Sequence, residues 1–532
     1  MSAAAPAGAT RHHLFPGHWG KVAPERPAIV DAVTGRSLSN RELDLRSAAL
    51  AGVWRAAGLA PGDHVAVLLE NHLHYLEVVW AAMRSGLVLT PVSSHLTTAE
   101  AGYIVDDSGA KALVTSGALR DTAVGLIEYT PLCRHRLALD GPVDGHLDYE
   151  EALKAEVGPV CSPEEPYGSL MLYSSGTTGR PKGIQLRFPS RTAGQGPGNA
   201  RFIARVFGFD EHTIYYSPAP MYHSAPITYG LATLALGGRV VVAPRFEPRA
   251  ALAAMADHGV THSQWVPTHF VRLLRLDPVE RAQHDLTSHR VAIHAAAPCP
   301  RAVKEAMMSW WGPILHEYYG GTESNGLTYV GPQEWLAHPG TVGRAVIGEL
   351  HICDDEGREV PAGETGRVYF GSPGPDPSFE YHNDPDQTQE ARHRVHRAWS
   401  TLGDVGHVDA DGYLYLTDRA TFMIVSGGVN IYPQEIENVL LEHPDVVDAA
   451  VIGVPNDDMG EEVKAIVQLA PERPSSTETA EELIAFARSR LSHFKCPRTI
   501  DFVDDLPRLP TGKLRKDELR KRYWIDGERG LI

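Results

Sequence analysis

Tyr173-Ser174-Ser175-Gly176-Thr177-Thr178-Gly179-Arg180-Pro181-Lys182-Gly183 packs four Ser/Thr hydroxyls, three glycines and a lysine into eleven residues. It follows Leu170-Met171-Leu172, an apolar run that suits a strand. Phosphate oxygens need donors from several directions at close range. Glycines let backbone N–H groups approach, hydroxyls add donors, and a lysine supplies charge. The spacing is not that of a Walker A loop, because Lys182 is followed by Gly183, nor that of a dinucleotide G-x-G-x-x-G. The stretch reads as a phosphate-binding loop of another kind, placed after a strand.

Outward from this loop, the chain alternates strand and helix signals. Ala28-Ile29-Val30 is a short apolar run. Ser39-Asn40-Arg41-Glu42 has the spacing of a capping box, and Leu43, Leu45, Ala48, Ala49, Val53 and Trp54 follow on a helical period, with Gly58 set to end it. Val65-Ala66-Val67-Leu68-Leu69 reads as a buried strand, and a helix carries Tyr75, Val78, Val79 and Ala82. Val88-Leu89-Thr90 reads as the next strand, and Thr97-Thr98-Ala99-Glu100 repeats the capping box. This rhythm predicts parallel sheets covered by helices, and it persists to about Leu416 through strands near 239–243 and 291–294. A short Gly-containing crossover lies over 418–430. Beyond it come strands at 446–454 and 462–469, a helix around 477–491 and a strand near 499–503, a compact α+β unit of typical domain size. The expected fold is α/β: a large N-terminal body of parallel and mixed sheets covered by helices over 1–418, plus a small α+β C-terminal domain over 419–532.

Composition narrows the function classes. The 532 residues are 43% hydrophobic and 22% charged, which excludes a disordered or coiled-coil chain. Lys and Arg total 49 against 66 Asp and Glu, a net charge of −17, so no basic face for nucleic acid is expected. Five cysteines (133, 161, 299, 353 and 496) lie far apart without a C-x-x-C pair, which fits reduced thiols better than a disulfide framework or a structural zinc site. The Ala-rich residues 1–10 have no basic region leading into an apolar core and read as a frayed tail, not a signal peptide. No apolar run approaches the ~18 residues of a membrane helix. A soluble, cytoplasmic protein is expected.

The loop resembles the signature loop of the adenylate-forming superfamily: acyl-CoA synthetases, peptide-synthetase adenylation domains and beetle luciferases. Other motifs support the resemblance in chain order. Pro220-Met221-Tyr222-His223 is similar to the family's aromatic/His motif, and Tyr319-Gly320-Gly321-Thr322-Glu323 matches its Y-G-x-T-E. Thr401-Leu402-Gly403-Asp404 is similar to its T-G-D, Asp418-Arg419 to the start of its hinge motif, and Pro510-Thr511-Gly512-Lys513 to its C-terminal lysine motif. The C-terminal stretch is most similar to bacterial fatty acyl-CoA synthetases.

The resemblance implies a role for each matched residue. Ser174, Ser175, Gly176, Thr177, Thr178 and Lys182 hold the ATP phosphates, with Thr178 and Glu323 near Mg2+, an ion suited to one carboxylate plus phosphate oxygens. Thr322 donates to the adenylate phosphate. Asp404 accepts the ribose hydroxyls on its two oxygens, and Arg419 adds a ribose or phosphate contact. Ala296-Ala297-Pro298 and Glu317-Tyr318-Tyr319 build the adenine site, with Tyr319 as the stacking ring. Lys513 is the catalytic lysine, bridging carboxylate and α-phosphate as charge redistributes, and His223 gates or orients the carboxylate. The C-terminal domain is mobile and rotates at the hinge for the second half-reaction. Ser426-Gly427-Gly428 then meets the pantetheine arm, with Lys495 and Arg498 toward the CoA phosphates.

The acyl pocket is expected from Ser224 and Ala225, Trp265, His294, Gly320, Gly321 and Asn325. No Asp stands near the start of this set to pair an amino group, so a fatty or aromatic acid is expected over an amino acid. Three positions depart from the family pattern: Leu402 stands where T-G-D has Thr, Thr421 where the hinge usually has Asp or Lys, and His294-Ala295-Ala296 where glycines often precede Ala-Pro. The expected activity is an ATP-dependent acid–thiol ligase of fatty acid metabolism that forms an acyl-adenylate and transfers the acyl group to CoA. The alternative is an acyl-AMP ligase loading a carrier protein, which in this family carries an insertion; none is evident between Glu323 and Asp404. A non-catalytic relative is disfavoured because Lys182, Glu323, Asp404 and Lys513 are all present. The expected partners are the acid, ATP and CoA, with an acyl carrier protein and a second copy of the chain as further candidates.

Overall fold

Both capping boxes form in the computed structural model. The Ser39 side chain accepts from the Glu42 backbone while Glu42 takes the Ser39 N–H at 2.7 Å, starting helix Asn40–Ala56. Thr97 and Glu100 do the same for helix Thr98–Asp107. Gly58 stands just past the first helix at φ +86°, a conformation that suits glycine. The structure describes residues 14–155, 162–174, 181–187, 190–372, 374, 378–419, 422–426, 429–456, 458–508 and 514–524, with the side chains of Ala155, Asp418, Arg419 and Asn430 left aside.

The chain forms two compact units: residues 1–265, 275–293 and 378–385 in one, and 266–274, 294–377 and 386–532 in the other. In the first, one sheet runs edge to edge through Phe379–Tyr381, Lys182–Leu186, Ser169–Ser174, Val88–Val92, His64–Leu68, Ala112–Ser116, His135–Leu139 and Leu147–Asp148. Every pairing from Ser169–Ser174 to Leu147–Asp148 is parallel, as the alternating strand and helix signals predict. The two strands flanking the glycine-rich loop are antiparallel, and so is the edge strand. A second sheet places His262–Trp265, Ile214–Ser217, Arg239–Val242 and Pro27–Asp31 in parallel, with Ser37–Ser39 closing a hairpin. Central strands such as Val65-Ala66-Val67 are fully buried, which is why their sequence is continuously apolar.

The second unit is mostly antiparallel. Leu315–Tyr319, Leu327–Val330 and Arg344–Ile347 form a meander. Glu349–Cys353, Gly366–Gly371, Asp404–Val408 and Leu414–Arg419 form another sheet, around Phe370 and Leu414. The C-terminal sheet joins Val429–Ile431, Ile424–Ser426, Gly460–Leu469 and Val446–Asn456, with Thr499–Phe502 parallel to Gly460–Leu469. Alternation gives it two apolar faces. Ala449, Val451, Val463 and Val467 pack with residues of helices Pro433–Leu440 and Thr477–Arg488, while Ala450, Ile452, Val454 and Ile466 pack with Leu519 of helix Lys516–Lys521. The helix expected to reach 491 stops at Arg488, and Leu491 turns into the first of these clusters. Among the described residues no helix is long and apolar enough to cross a membrane, and Cys133, Cys299, Cys353 and Cys496 are free thiols.

Candidate active site

In the first unit the glycine-rich loop joins two strands in register, so its two ends, Ser174 and Lys182, stand opposite each other. Ser175, Gly176, Thr177 and Thr178 lie outside the described residues. Lys182 is half-buried, with Nζ 3.4 Å from Oδ2 of Asp384. Tyr173 donates its hydroxyl to Oδ2 of Asp107 at 2.6 Å. Gly183 is required by close approach: a Cβ there would stand 3.0 Å from the Cβ of His382 and 3.1 Å from the Tyr173 ring.

His223 caps helix Ser224–Ala235 in the same unit, which sets Ser224 and Ala225 at the helix start. The loop before it is fixed by Asn71, whose side chain donates to Ala219 and Ala243 and accepts from the Met221 N–H. Burial pushes the His223 imidazole down to about 3, with His95 acting in the same direction, so the ring is neutral at physiological pH. Its Nε2 is buried without a hydrogen-bond partner among the described residues. Trp265 is fully buried, its indole N–H donating to Ser263 at 2.6 Å.

The second unit carries the residues expected at the adenine and the ribose. Among the described residues four non-glycines have positive φ; one of them, Ala296 at +75°, falls within a predicted stretch, and another, Ser324 at +49°, directly follows one. Such conformations persist where surrounding structure enforces them and concentrate at functional sites. Tyr319 ends strand Leu315–Tyr319 and donates to Oδ2 of Asp404 at 2.6 Å. Asp404 is 7% exposed and opens strand Asp404–Val408, opposite Arg419 in register; the Arg419 side chain is outside the described set. Glu323 is buried beside Gly321, where a Cβ would come within 2.7 Å of Oε2 and within 2.6 Å of Leu402 Cδ1. The glycine therefore keeps space both for the carboxylate and for the leucine that replaces the usual Thr. Thr322 precedes Glu323 in this half-exposed loop, and a Cβ at Gly320 would stand 2.9 Å from the Gly326 carbonyl oxygen. Asn325 donates to the Ser400 carbonyl at 3.2 Å, tying the loop to the segment leading to Asp404.

Behind Ala296-Ala297-Pro298, whose residues are exposed or half-buried, lies a buried charged cluster. Lys304 donates to Oε2 of Glu317 at 2.5 Å and sits over the Trp335 ring, 4.6 Å from its centroid. Burial pushes the Glu317 carboxyl up while the Lys304 ammonium pulls it the other way. His294 is fully buried, edge-on to Phe270, with Nε2 3.6 Å from Glu317 Oε2; burial first, then the Lys304 charge, keep it neutral. Tyr318 is half-buried on the same strand as Glu317 and Tyr319.

In the C-terminal sheet Ser426 is buried and pairs with Val429 and Gly460, while Gly427, Gly428, Thr421 and Lys513 lie outside the described residues. Lys495 makes a two-pronged contact with Glu435 at 2.7 and 3.0 Å. Arg498 is exposed and donates its backbone N–H to Val463. Sequence reasoning missed Asp107, Asn383, Asp384, Asn71 and Lys304. For Asn383-Asp384-Pro385 a signal existed, a turn tripeptide after an aromatic strand; the others are single polar residues in ordinary helix or loop contexts.

The chain matches the AMP-binding enzyme family over residues 17–375 and the AMP-binding enzyme C-terminal domain over 435–513. It is 33% identical over 520 residues to the fatty acid–[acyl-carrier-protein] ligase ScoC of Streptomyces coeruleorubidus, covering 95% of each chain. It is 34% identical over 494 residues to a feruloyl-CoA synthase of Amycolatopsis sp, covering 92% of this chain and 94% of that one. The amide bond synthetase McbA from Marinactinospora thermotolerans has the same fold, with a TM-score of 0.80 at 28% identity over 96% of this chain and 99% of that one. The chain therefore belongs to the AMP-binding enzyme family and is an ATP-dependent, acyl-adenylate-forming ligase.

Proposed function

We propose that this ligase joins a fatty or aromatic carboxylic acid to the thiol of CoA in two steps. In the first, a carboxylate oxygen attacks the α-phosphorus of ATP, the bond to the β-phosphate oxygen breaks, and pyrophosphate leaves. In the second, the thiol adds to the acyl carbon, loses its proton, and AMP leaves. The observation that carries the adenylating step is the buried Asp404 carboxylate, fixed on one oxygen by Tyr319 and set to take ribose hydroxyls. Ser174, with Ser175 to Thr178, and Lys182 hold phosphate oxygens; Thr322 donates to the adenylate phosphate and Arg419 adds a further contact. Ala296 to Pro298 and Glu317 to Tyr319 frame the adenine. Neutral His223 orients the carboxylate by hydrogen bonding, since a ring held near 3 carries no charge at pH 7. Lys513 supplies the charge between carboxylate and α-phosphate.

Glu323 fits a divalent cation, because its carboxylate is buried in a space that a side chain at Gly321 would fill. With Thr178 it would hold Mg2+, which when bound offsets phosphate charge. Among the described residues no cluster of three or more His, Cys, Asp or Glu side chains is arranged for a metal. Ser426 to Gly428, Lys495 and Arg498 meet CoA, which requires Lys495 to leave Glu435. The division into 1–418 and 419–532, and a place in the cytoplasm with ATP and CoA, belong to the same proposal. The acid class is supported by the absence of a carboxylate around Ser224 and Ala225, and by likeness to ligases of a fatty acid and of ferulate.

Likeness to ScoC favours a second reading, in which the acceptor is an acyl carrier protein. A panel of carboxylic acids, with pyrophosphate release measured alone, with CoA and with carrier protein, separates the two. Acyl-CoA formed from a fatty or aromatic acid upholds the first. Adenylate that accumulates until carrier protein is added upholds the second, and no turnover with any acid or acceptor defeats both.

A further inference from the structure

Lys182 is not presented bare. Its ammonium faces Asp384 at 3.4 Å, the two side chains being 17% and 34% exposed. A partly solvated single ion pair contributes little to stability, yet the turn that carries Asp384 is held from several sides. The His382 N–H donates to the Gly183 carbonyl at 2.8 Å. The ring of His382 lies 2.9 Å from Gln185 Nε2 on one side and 3.0 Å from the Asp107 carbonyl on the other. Asn383 sits at φ +56° and donates to Asp107 Oδ1 at 3.3 Å. The other oxygen of Asp107 takes the Tyr173 hydroxyl. One carboxylate thus ties the turn at 381–384 to the strand entering the glycine-rich loop, while Gly183 and Gln185 tie it to the strand leaving the loop. A left-handed non-glycine residue persists where its surroundings enforce it, and what this turn delivers is a carboxylate beside Lys182.

We propose that Asp384 is a positioning residue for the phosphates: it is the resident counter-ion of Lys182, gives way to the ATP polyphosphate, and takes the ammonium back as pyrophosphate leaves. This rests on reading Lys182 as a phosphate ligand. A half-buried ammonium left without an anion is penalised by lost hydration. Exchanging pyrophosphate for a fixed carboxylate avoids that state, so Asp384 weakens the hold on pyrophosphate and eases its departure. No bond is made or broken in the exchange.

The test uses the full-length enzyme and its D384N, D384E and Lys182→Met variants. For D384N, the inhibition constant of pyrophosphate against ATP is expected to fall by about 3–10-fold, the size of a coupling between contacting residues. The KM for the acid is expected to stay unchanged, and D384E to restore the wild-type constant. In the Lys182→Met background D384N is expected to leave pyrophosphate inhibition unchanged, since Asp384 acts through the lysine. Unchanged or weaker pyrophosphate inhibition in D384N overturns the proposal, as does an equal effect with and without Lys182. If Lys182→Met itself leaves pyrophosphate and ATP binding intact, the phosphate reading of Lys182 fails instead.

Discussion

The Tyr319 hydroxyl donates to Oδ2 of Asp404 at 2.6 Å, so the proposed adenine platform and the proposed ribose acceptor are a single hydrogen-bonded piece. Removing the hydroxyl leaves the carboxylate in place but less well oriented. Tyr319→Phe is expected to raise the KM for ATP about 2–10-fold, the worth of one such bond, with the KM for the acid unchanged. Asp404→Ala removes charge-assisted contacts and is expected to lower kcat/KM for ATP about 10–100-fold. Pyrophosphate release at varied ATP checks both, and equal effects on ATP and acid would refute the assignment.

Lys513 is assigned to the first half-reaction only. Lys513→Ala is expected to cost about 10²–10³-fold in adenylation, the usual loss for one preorganised donor. Thioester formation from a supplied acyl-adenylate is expected to survive, and an equal loss in both assays would sink the role.

Acid stability follows from the buried imidazoles. Burial lowers His223, His269 and His289 to about 3 and His262 to about 4 from 6.5, and His294 well below 6.5. These rings bind protons in the unfolded chain before they do so in the native one. Their contribution is intact above pH 6.5 and is lost as pH falls from 6.5 toward the folded values, each at about 1.4 kcal/mol per pH unit. Two of them acting fully would remove about 3 kcal/mol by pH 5.5. A melting temperature that drops steeply between pH 7.5 and 5.5 is expected, and a flat profile would contradict it.

Gly326 lies against a ring. A Cβ there would stand 2.1 Å from the Phe370 side chain, itself fully buried in the sheet core. Gly326→Ala is therefore expected to destabilise the fold and displace the loop that carries Glu323, costing about 1–3 kcal/mol by denaturant unfolding. Unchanged stability would show that the ring yields freely.

Local chemistry was the legible part of this chain. Capping boxes, Gly58 and the continuous apolar strands each report a preference of their own few residues, and the structure forms all of them. The family was legible where residues cluster in sequence, as in the glycine-rich loop and the segment 319–323. Partners brought from afar were not. Asp107 reaches Tyr173 across 66 positions, and His382 reaches Asp107 across 275. Nothing in an Asp at the end of a helix announces such roles, because the contact exists only once the sheet is assembled. His294 shows a second limit: an isolated His beside Ala-Ala carries no sign that it will be sealed against Phe270 and Glu317.

The edge strand Phe379–Tyr381 also sets the order in which the enzyme can be built. It pairs with Lys182–Leu186, and Arg187 and Glu380, which form an ion pair, are 193 positions apart. On a ribosome adding about 5–20 residues per second, this strand follows its partner by roughly 10–40 s. Through that interval the strand leaving the glycine-rich loop has an unpaired edge, and Lys182 has yet to meet Asp384. The nascent first unit therefore carries an open, partly apolar sheet edge for about half of its synthesis, a natural point of engagement for chaperones and of vulnerability to aggregation.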